Sequence, residues 1–379
     1  MTITLENLHG RLLDCDSHLQ LAPHQFSDAM GVEFAERYRT LEDKRLGMKR
    51  IEDAVAQGKD VELDAASVWR VKGWASPAAF DADKRLAALD LMGIERQVLF
   101  PIAYFAAVAV SPLEGASRSA GIYNDYVLDW SKNARGRLRP VAMLPMHDAG
   151  GAVEEARRVV DAGAYAVNIA IGRPPAGLSP AHTDWDPLWA LLADANVPVL
   201  LHIGGDAGFF DRAWSRIPSL EAHALPHGGE ALGPFNLATF HFAPQMYLTS
   251  LVLGGVFERH PTLRVGVIEL TAQWVGPMAE MLDQRVDVFA KRMSKLLSMK
   301  PSEYLSRNVR VTPFWWEPVD RYIDRYGLED VYVFSTDFPH PEGGTDPLPR
   351  FFGNLARFGD ELIEKFFVRN AELILPARP

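Results

Sequence analysis

The chain has 379 residues, 48% hydrophobic and 23% charged, with a net charge of −10 and a pI near 5.6; that balance describes a soluble globular protein with a full-sized core. The acidity argues against a nucleic-acid partner, because phosphate contact needs a basic stripe and the densest basic stretch, 44–50, is short. A single cysteine, Cys15, excludes an intrachain disulfide, and the longest apolar run, about residues 98–110, falls short of the roughly 18 residues that a membrane span needs.

The first residues show no basic region followed by an apolar run, so no secretory leader is expected and the cytoplasm is the default location. Acidity does not bar an anionic substrate, since a bound cation can invert the field inside a cleft.

In chain order, eight short apolar runs read as strands: 11–16, 97–101, 138–144, 165–171, 197–203, 263–269, 308–312 and 331–336. Amphipathic helical patterns occupy 82–92, 116–133, 149–162, 186–195, 247–260, 274–292, 318–326 and 360–371. Several of these stop at a glycine or proline just ahead of the next strand, as at Gly163, Gly327 and His260-Pro261. Near-continuous apolar strands alternating with helices imply a parallel sheet covered on the outside. Eight such units predict an α/β fold, a (β/α)8 TIM-type barrel; an open doubly wound sheet is the competing arrangement. The expected organisation is one domain over 1–379, with long insertions after strands 1 and 5 at 19–81 and 204–244. Both leave the C-terminal end of a strand, which is the working face of such a barrel, and read as lids or pocket walls, or as subunit-contact arms.

The first strand ends Asp14-Cys15-Asp16-Ser17-His18, and alternation along a strand puts Asp14, Asp16 and His18 on one side. The fifth strand ends at His202, the sixth at Glu269 and the eighth runs into Asp337. Singly, each has an ordinary explanation: Asp-x-His pairs are common, His202 fits a hydrogen-bonded core histidine, and Asp337 before Phe338-Pro339 fits a turn cap. Together they place two imidazoles and several carboxylates at one barrel mouth. Asp16, His18, His202 and Asp337 are therefore the expected ligands of one divalent ion, Zn2+ or Mn2+, with the carboxylates leaning towards Mn2+. Such an ion acidifies a bound water or polarises a substrate oxygen.

These residues resemble the amidohydrolase-related family of the amidohydrolase superfamily, in its aminocarboxymuconate-semialdehyde decarboxylase-like branch. Asp16-Ser17-His18 is similar to its opening ligand pair, and Trp185 through His202 to the segment that ends in its third ligand. Gly255-Val256-Phe257-Glu258-Arg259-His260-Pro261 and Phe334-Ser335-Thr336-Asp337-Phe338-Pro339-His340 resemble two further blocks, the second supplying the last ligand. The likeness runs from Asp14 to about Glu342 and covers the first insertion least. Two positions depart from the pattern: Asp16 stands where His or Glu is usual, and Glu269 where many decarboxylases carry a proton-handling His.

The resemblance implies an enzyme acting on a small molecule, with a homodimer or higher homo-oligomer as the assembly. The first reading is a metal-dependent non-oxidative decarboxylase (a carboxy-lyase) of a carboxylated aromatic or ring-cleavage compound. The second is a metal-dependent hydrolase of a lactone, amide, ester or C–C bond, and the third a non-catalytic ligand-binding barrel. Candidate catalytic residues are Asp337, Glu269 and His241; Glu269 could instead orient a ligand or hold a lid. Arg70, Trp74, Tyr104, Phe105 and Trp316 are candidate substrate contacts, aromatic walls and a cation for a carboxylate, or else plain packing and surface charge. Lys72 offers a second such cation, and His340 reads as support for Asp337.

Overall fold

The computed structural model describes residues 2–21, 36, 39–40, 43, 47–101, 113–220 and 233–377. Its strands are β1 (Leu12–Asp14), β2 (His18–Leu19), β3 (Ile94–Pro101), β4 (Leu138–Met143), β5 (Ala166–Asn168), β6 (Val199–His202), β7 (Val265–Ile268) and β8 (Val309–Val311). All pairings are parallel and sequential, β1-β3-β4-β5-β6-β7-β8, with β2 also on β3. Every residue of β4 through β8 is buried, as expected of strands covered on both faces.

The segment 331–338 joins the two ends of this order. Val311 N donates to Val331 O (2.8 Å) and Val333 N to Val311 O (3.1 Å); on the other side Cys15 N donates to Phe334 O (3.1 Å), Asp337 N to Asp16 O (2.9 Å) and His18 N to Phe338 O (2.8 Å). Thus 331–336, expected as a regular eighth strand, closes the ring through isolated bridges, Val311 to Tyr332 and Ser17 to Phe338. Its partner changes from β8 to β1 within a few residues, which leaves no run long enough for a ladder.

The lower end of the barrel is plugged by the chain's last turns. Ile374 and Leu375 pack with Leu13, Val141, Leu200 and Val333 in the barrel core. Three arginines near the N-terminal ends of strands fix that segment through its carbonyls: Arg96 Nε to Leu375 O (3.0 Å), Arg264 Nη1 to Leu373 O (3.3 Å) and Arg310 Nε to Asn370 O (2.9 Å).

Helices cover the outside. Ala82–Met92 matches its predicted span, capped by Asp81, whose side chain accepts from Lys84 N, and ended by Gly93 at φ 74°. The pattern at 247–260 is in fact two helices, Phe242–Leu253 and Val256–Arg259, divided at Gly255 with φ 70°. Likewise 274–292 divides at Phe289 into Val275–Val288 and Ala290–Met293. Met48–Gly58, within the first insertion, is a helix that the sequence reading did not separate from its charged surroundings. No described helix is long and apolar enough to cross a membrane.

Candidate metal centre

The C-terminal ends of β1/β2, β6 and β7 and the closing segment deliver one cluster. Asp16 and His18 leave β1 and enter β2, His202 is the last residue of β6, Glu269 follows β7, and Asp337 follows Thr336. Asp16, His18 and His202 are at most 1% exposed, Glu269 3% and Asp337 5%, so these five ionisable groups share one buried site.

Their donor atoms face one another. His18 Nε2 lies 3.5 Å from Asp16 Oδ1, 3.7 Å from Glu269 Oε2 and 3.2 Å from Asp337 Oδ1. His202 Nε2 lies 3.4 Å from both Asp16 Oδ1 and Glu269 Oε2. Its other nitrogen, Nδ1, is 2.9 Å from the carbonyl of Ile203, which fixes the ring and leaves Nε2 for the centre. His340 stacks on His18 with ring centroids 3.9 Å apart and puts Nδ1 2.9 Å from Asp337 Oδ1.

The backbone is bent to achieve this. Glu269 (φ 56°), Thr271 (φ 58°) and Asp337 (φ 52°) all adopt the left-handed conformation that side-chain-bearing residues avoid. Asp14 holds the junction: its carboxyl accepts from Gln97 Nε2 (2.6 Å), Thr336 Oγ1 (2.5 Å), Thr336 N (2.8 Å) and Asp16 N (3.2 Å). Buried Arg85 donates to Gln97 Oε1 (3.0 Å) and to the carbonyl of His18 (2.6 Å), extending the brace.

Burial pushes Asp16, Asp337 and His18 towards their neutral forms. The Asp16 carboxyl is raised to about 6, Asp337 is raised, and His18 falls well below the usual imidazole range, each chiefly by loss of water. Oδ1 of Asp16, both carboxylate oxygens of Asp337 and Nε2 of His18 are buried without a hydrogen bond of normal geometry. Three carboxylates and two imidazoles converging in a buried site, with such atoms left over, fit one divalent cation, whose charge would restore the ionised carboxylates. Two overlapping donor sets are within reach of an ion: Asp16, His18, His202 and Glu269, and His18, Glu269, Asp337 and His340.

The chain matches the amidohydrolase family over residues 14–376. It belongs to that family. Among curated relatives, the gamma-resorcylate decarboxylase of Rhodococcus jostii (strain RHA1) is 28% identical over 273 residues, 68% of this chain and 77% of that protein. Among solved structures, an amidohydrolase of Mycobacterium avium subsp. paratuberculosis K-10 aligns with TM-score 0.70 and 23% identity, covering 96% of this chain and 99% of its own. A 5-carboxyvanillate decarboxylase of Novosphingobium aromaticivorans, with bound manganese and 3-methoxy-4-hydroxy-5-nitrobenzoic acid, aligns over the whole of both chains with TM-score 0.64 and 17% identity. The cluster stands at the C-terminal mouth of the barrel, the face on which enzymes of this fold carry their active sites.

The remaining predicted contacts scatter around that mouth. Phe314 and Trp315 line a small cavity beside Asp16, Glu269 and Asp337, with open volume of about 10 Å3, room for roughly one water. Trp316 lies outside that lining and stacks on Phe314 at 4.4 Å. Trp74, expected on a pocket wall, is fully buried instead: it packs on Ile51 and Ala54 and donates Nε1 to Leu21 O (3.2 Å), bracing the insertion. Arg70 is exposed, whereas Lys72, 8% exposed, is acted on by the charges of Asp337 and Glu342. His241 is half-buried against Phe242 (4.4 Å between ring centroids) and makes no ion pair with the cluster among the described residues. Tyr104 and Phe105 lie outside the described residues, as do His223 and His227.

A larger cavity of about 730 Å3 opens at the opposite end of the barrel, near Arg96, Arg137 and Arg139. Its arginines already serve backbone carbonyls, Glu95 and Asp90, and none of the centre's donors reaches it.

Proposed function

We propose that this amidohydrolase is a metal-dependent, non-oxidative decarboxylase of a hydroxylated aromatic acid or a related ring-cleavage acid. The observation that carries this reading is the convergence of Asp16, His18, His202, Glu269 and Asp337 at the barrel mouth of a chain related to a gamma-resorcylate decarboxylase. Asp16, His18, His202 and Asp337 are the residues that would hold a divalent cation. That ion, Zn2+ or Mn2+, supplies Lewis acidity to a substrate oxygen when bound, and the carboxylate-rich set favours Mn2+.

The protein's own groups handle charge and proton. Lys72 balances the substrate carboxylate beside Asp337 and Glu342. Asp337 moves the proton, and His340 Nδ1, 2.9 Å from its Oδ1, is placed to exchange with it. As the bond between ring carbon and carboxyl breaks, its electron pair stays on the ring carbon, which takes the proton from Asp337, and CO2 leaves. Phe314 and Trp315 flank the cluster and narrow its access to water.

Hydrolysis of a lactone, amide, ester or C–C bond is the second reading, favoured by Glu269 standing where related decarboxylases resemble one another in carrying His. A panel of hydroxybenzoates and ring-cleavage acids, assayed for released CO2 with the metal-loaded protein, separates the two. CO2 release from at least one acid is expected; silence there with turnover of lactones or amides would make it a hydrolase.

The same proposal treats the chain as one catalytic domain with 19–81 and 204–244 as lids, working as a homo-oligomer in the cytoplasm. The exposed apolar side chains of Phe210, Phe242 and Met246 support the assembly, the first two in edge-to-face contact at 5.7 Å.

A further inference from the structure

Four donor atoms of the centre define a cage more regular than the ligand set expected from sequence. Asp16 Oδ1 stands 3.5 and 3.4 Å from the inner nitrogens of His18 and His202. Glu269 Oε2 stands 3.7 and 3.4 Å from the same two nitrogens. The two carboxylates are thus placed almost equivalently about the imidazole pair. A regular tetrahedron whose corners lie about 2.1 Å from its centre, an ordinary metal-to-ligand distance, has edges of about 3.4 Å. Asp337 is placed differently: of the two imidazoles it meets only His18 at ion-pair distance, and its second partner is His340.

We propose that Glu269 is itself a ligand of the cation, joining Asp16, His18, His202 and Asp337 around it. This rests on the metal-centre reading and extends it, because the position is one where the expected roles were proton handling or ligand support. The left-handed backbone at Glu269, φ 56°, turns the chain at the strand exit just where the carboxylate enters the cage. Asp337 joins the centre from the side of His18, at 3.2 Å, and keeps its contact with His340 at 2.9 Å. The added carboxylate also hardens the donor set, which suits Mn2+.

The test is metal binding, not turnover. The full chain, stripped with a chelator, is titrated with Mn2+, followed by the electron paramagnetic resonance of the free ion, and separately with Co2+, followed by its visible d–d bands. Glu269→Gln is expected to raise the Mn2+ Kd more than a hundredfold, beyond the ten- to hundredfold loss typical of a residue that only orients ligands. It is also expected to change the Co2+ spectrum, which reports ligand number and type directly. Should Glu269→Gln fail to fold, Glu269→Asp keeps the charge, shortens the arm by one methylene and must likewise alter that spectrum. A Co2+ spectrum identical to the parent's in a folded variant overturns the assignment. A protein that decarboxylates nothing in the substrate panel still answers this question, and an active decarboxylase can still fail it.

Discussion

Asp14 performs no chemistry in this scheme, yet it decides where Asp16 and Asp337 stand. Strand alternation put it on the same side as Asp16 and His18, so its location was legible. Its partners were not: Gln97 is 83 residues away and Thr336 is 322 away. The candidate ligands were easier to single out because each ends an apolar run, and the end of a run is a local signal. Thr336→Val removes a donor to a buried carboxyl and should cost about 1–3 kcal/mol in urea unfolding while weakening Mn2+ binding. His202→Ala removes a donor from the centre; bound metal should fall below stoichiometry, and CO2 release by at least about a thousandfold. Unchanged turnover in that variant would mean that the chemistry happens elsewhere.

Glu317 is a second residue whose importance only the packed structure reveals. It follows Trp315-Trp316, which drew attention as aromatics, while its carboxyl accepts from Ala272 N (2.9 Å), Gln273 N (3.2 Å) and Phe314 N (2.8 Å), tying the turn after β7 to the one after β8. Burial raises its pKa to about 7, so across the window from the ordinary glutamate value to about 7 the folded protein keeps a proton that the unfolded chain has lost. Stability from this group is therefore greatest at low pH and declines as pH rises through that window. The advantage of the parent over Glu317→Gln should narrow from pH 5 to pH 7, by at most roughly 1.4 kcal/mol per unit, and then level off. A constant difference in urea unfolding across those pH values would contradict the assignment.

At the level of elements, periodicity located the helices well and their joints poorly. Pro244 read as the end of the second insertion, but it sits in the first turn of Phe242–Leu253, where a missing N–H costs nothing. The closing segment looked like any other strand because its run VYVFST is as apolar and β-branched as the rest, and only its divided pairing sets it apart. The short turn Pro341–Gly343 acts on that segment directly. A Cβ built on Gly343 would lie 2.1 Å from Thr336 O and 3.2 Å from the Asp337 Cβ. Gly343→Ala must therefore displace the backbone that carries Asp337. It should lower thermal stability by several degrees, about 1–3 kcal/mol, and weaken Mn2+ binding; an unchanged Kd would show that the turn yields without moving Asp337.

Across the whole molecule, barrel order and the working face could be anticipated because parallel β/α units allow few arrangements. The floor could not. Arg96, Arg264 and Arg310 lie scattered among strand sequences, and nothing local says that all three reach for carbonyls of residues 370–375. Arg310 also donates to Ser306 O (2.8 Å) and Val309 O (2.7 Å), so Arg310→Met leaves several acceptors unpaired and should cost about 3 kcal/mol, visible as a lower urea midpoint.

The ring is shut by bonds between Cys15, Asp16 and His18 on one side and Phe334, Asp337 and Phe338 on the other, and three of these residues, Asp16, His18 and Asp337, are among the ligands proposed for the cation. An ion gripped there spans the join like a clasp, so its binding energy adds to the work of prising the cylinder apart. Chelation should speed hydrogen exchange at the amides of Cys15, His18 and Asp337 well before those of β4 and β5. Where this molecule first comes undone is then also where it works, and any change that tightens its hold on the ion keeps the cylinder shut.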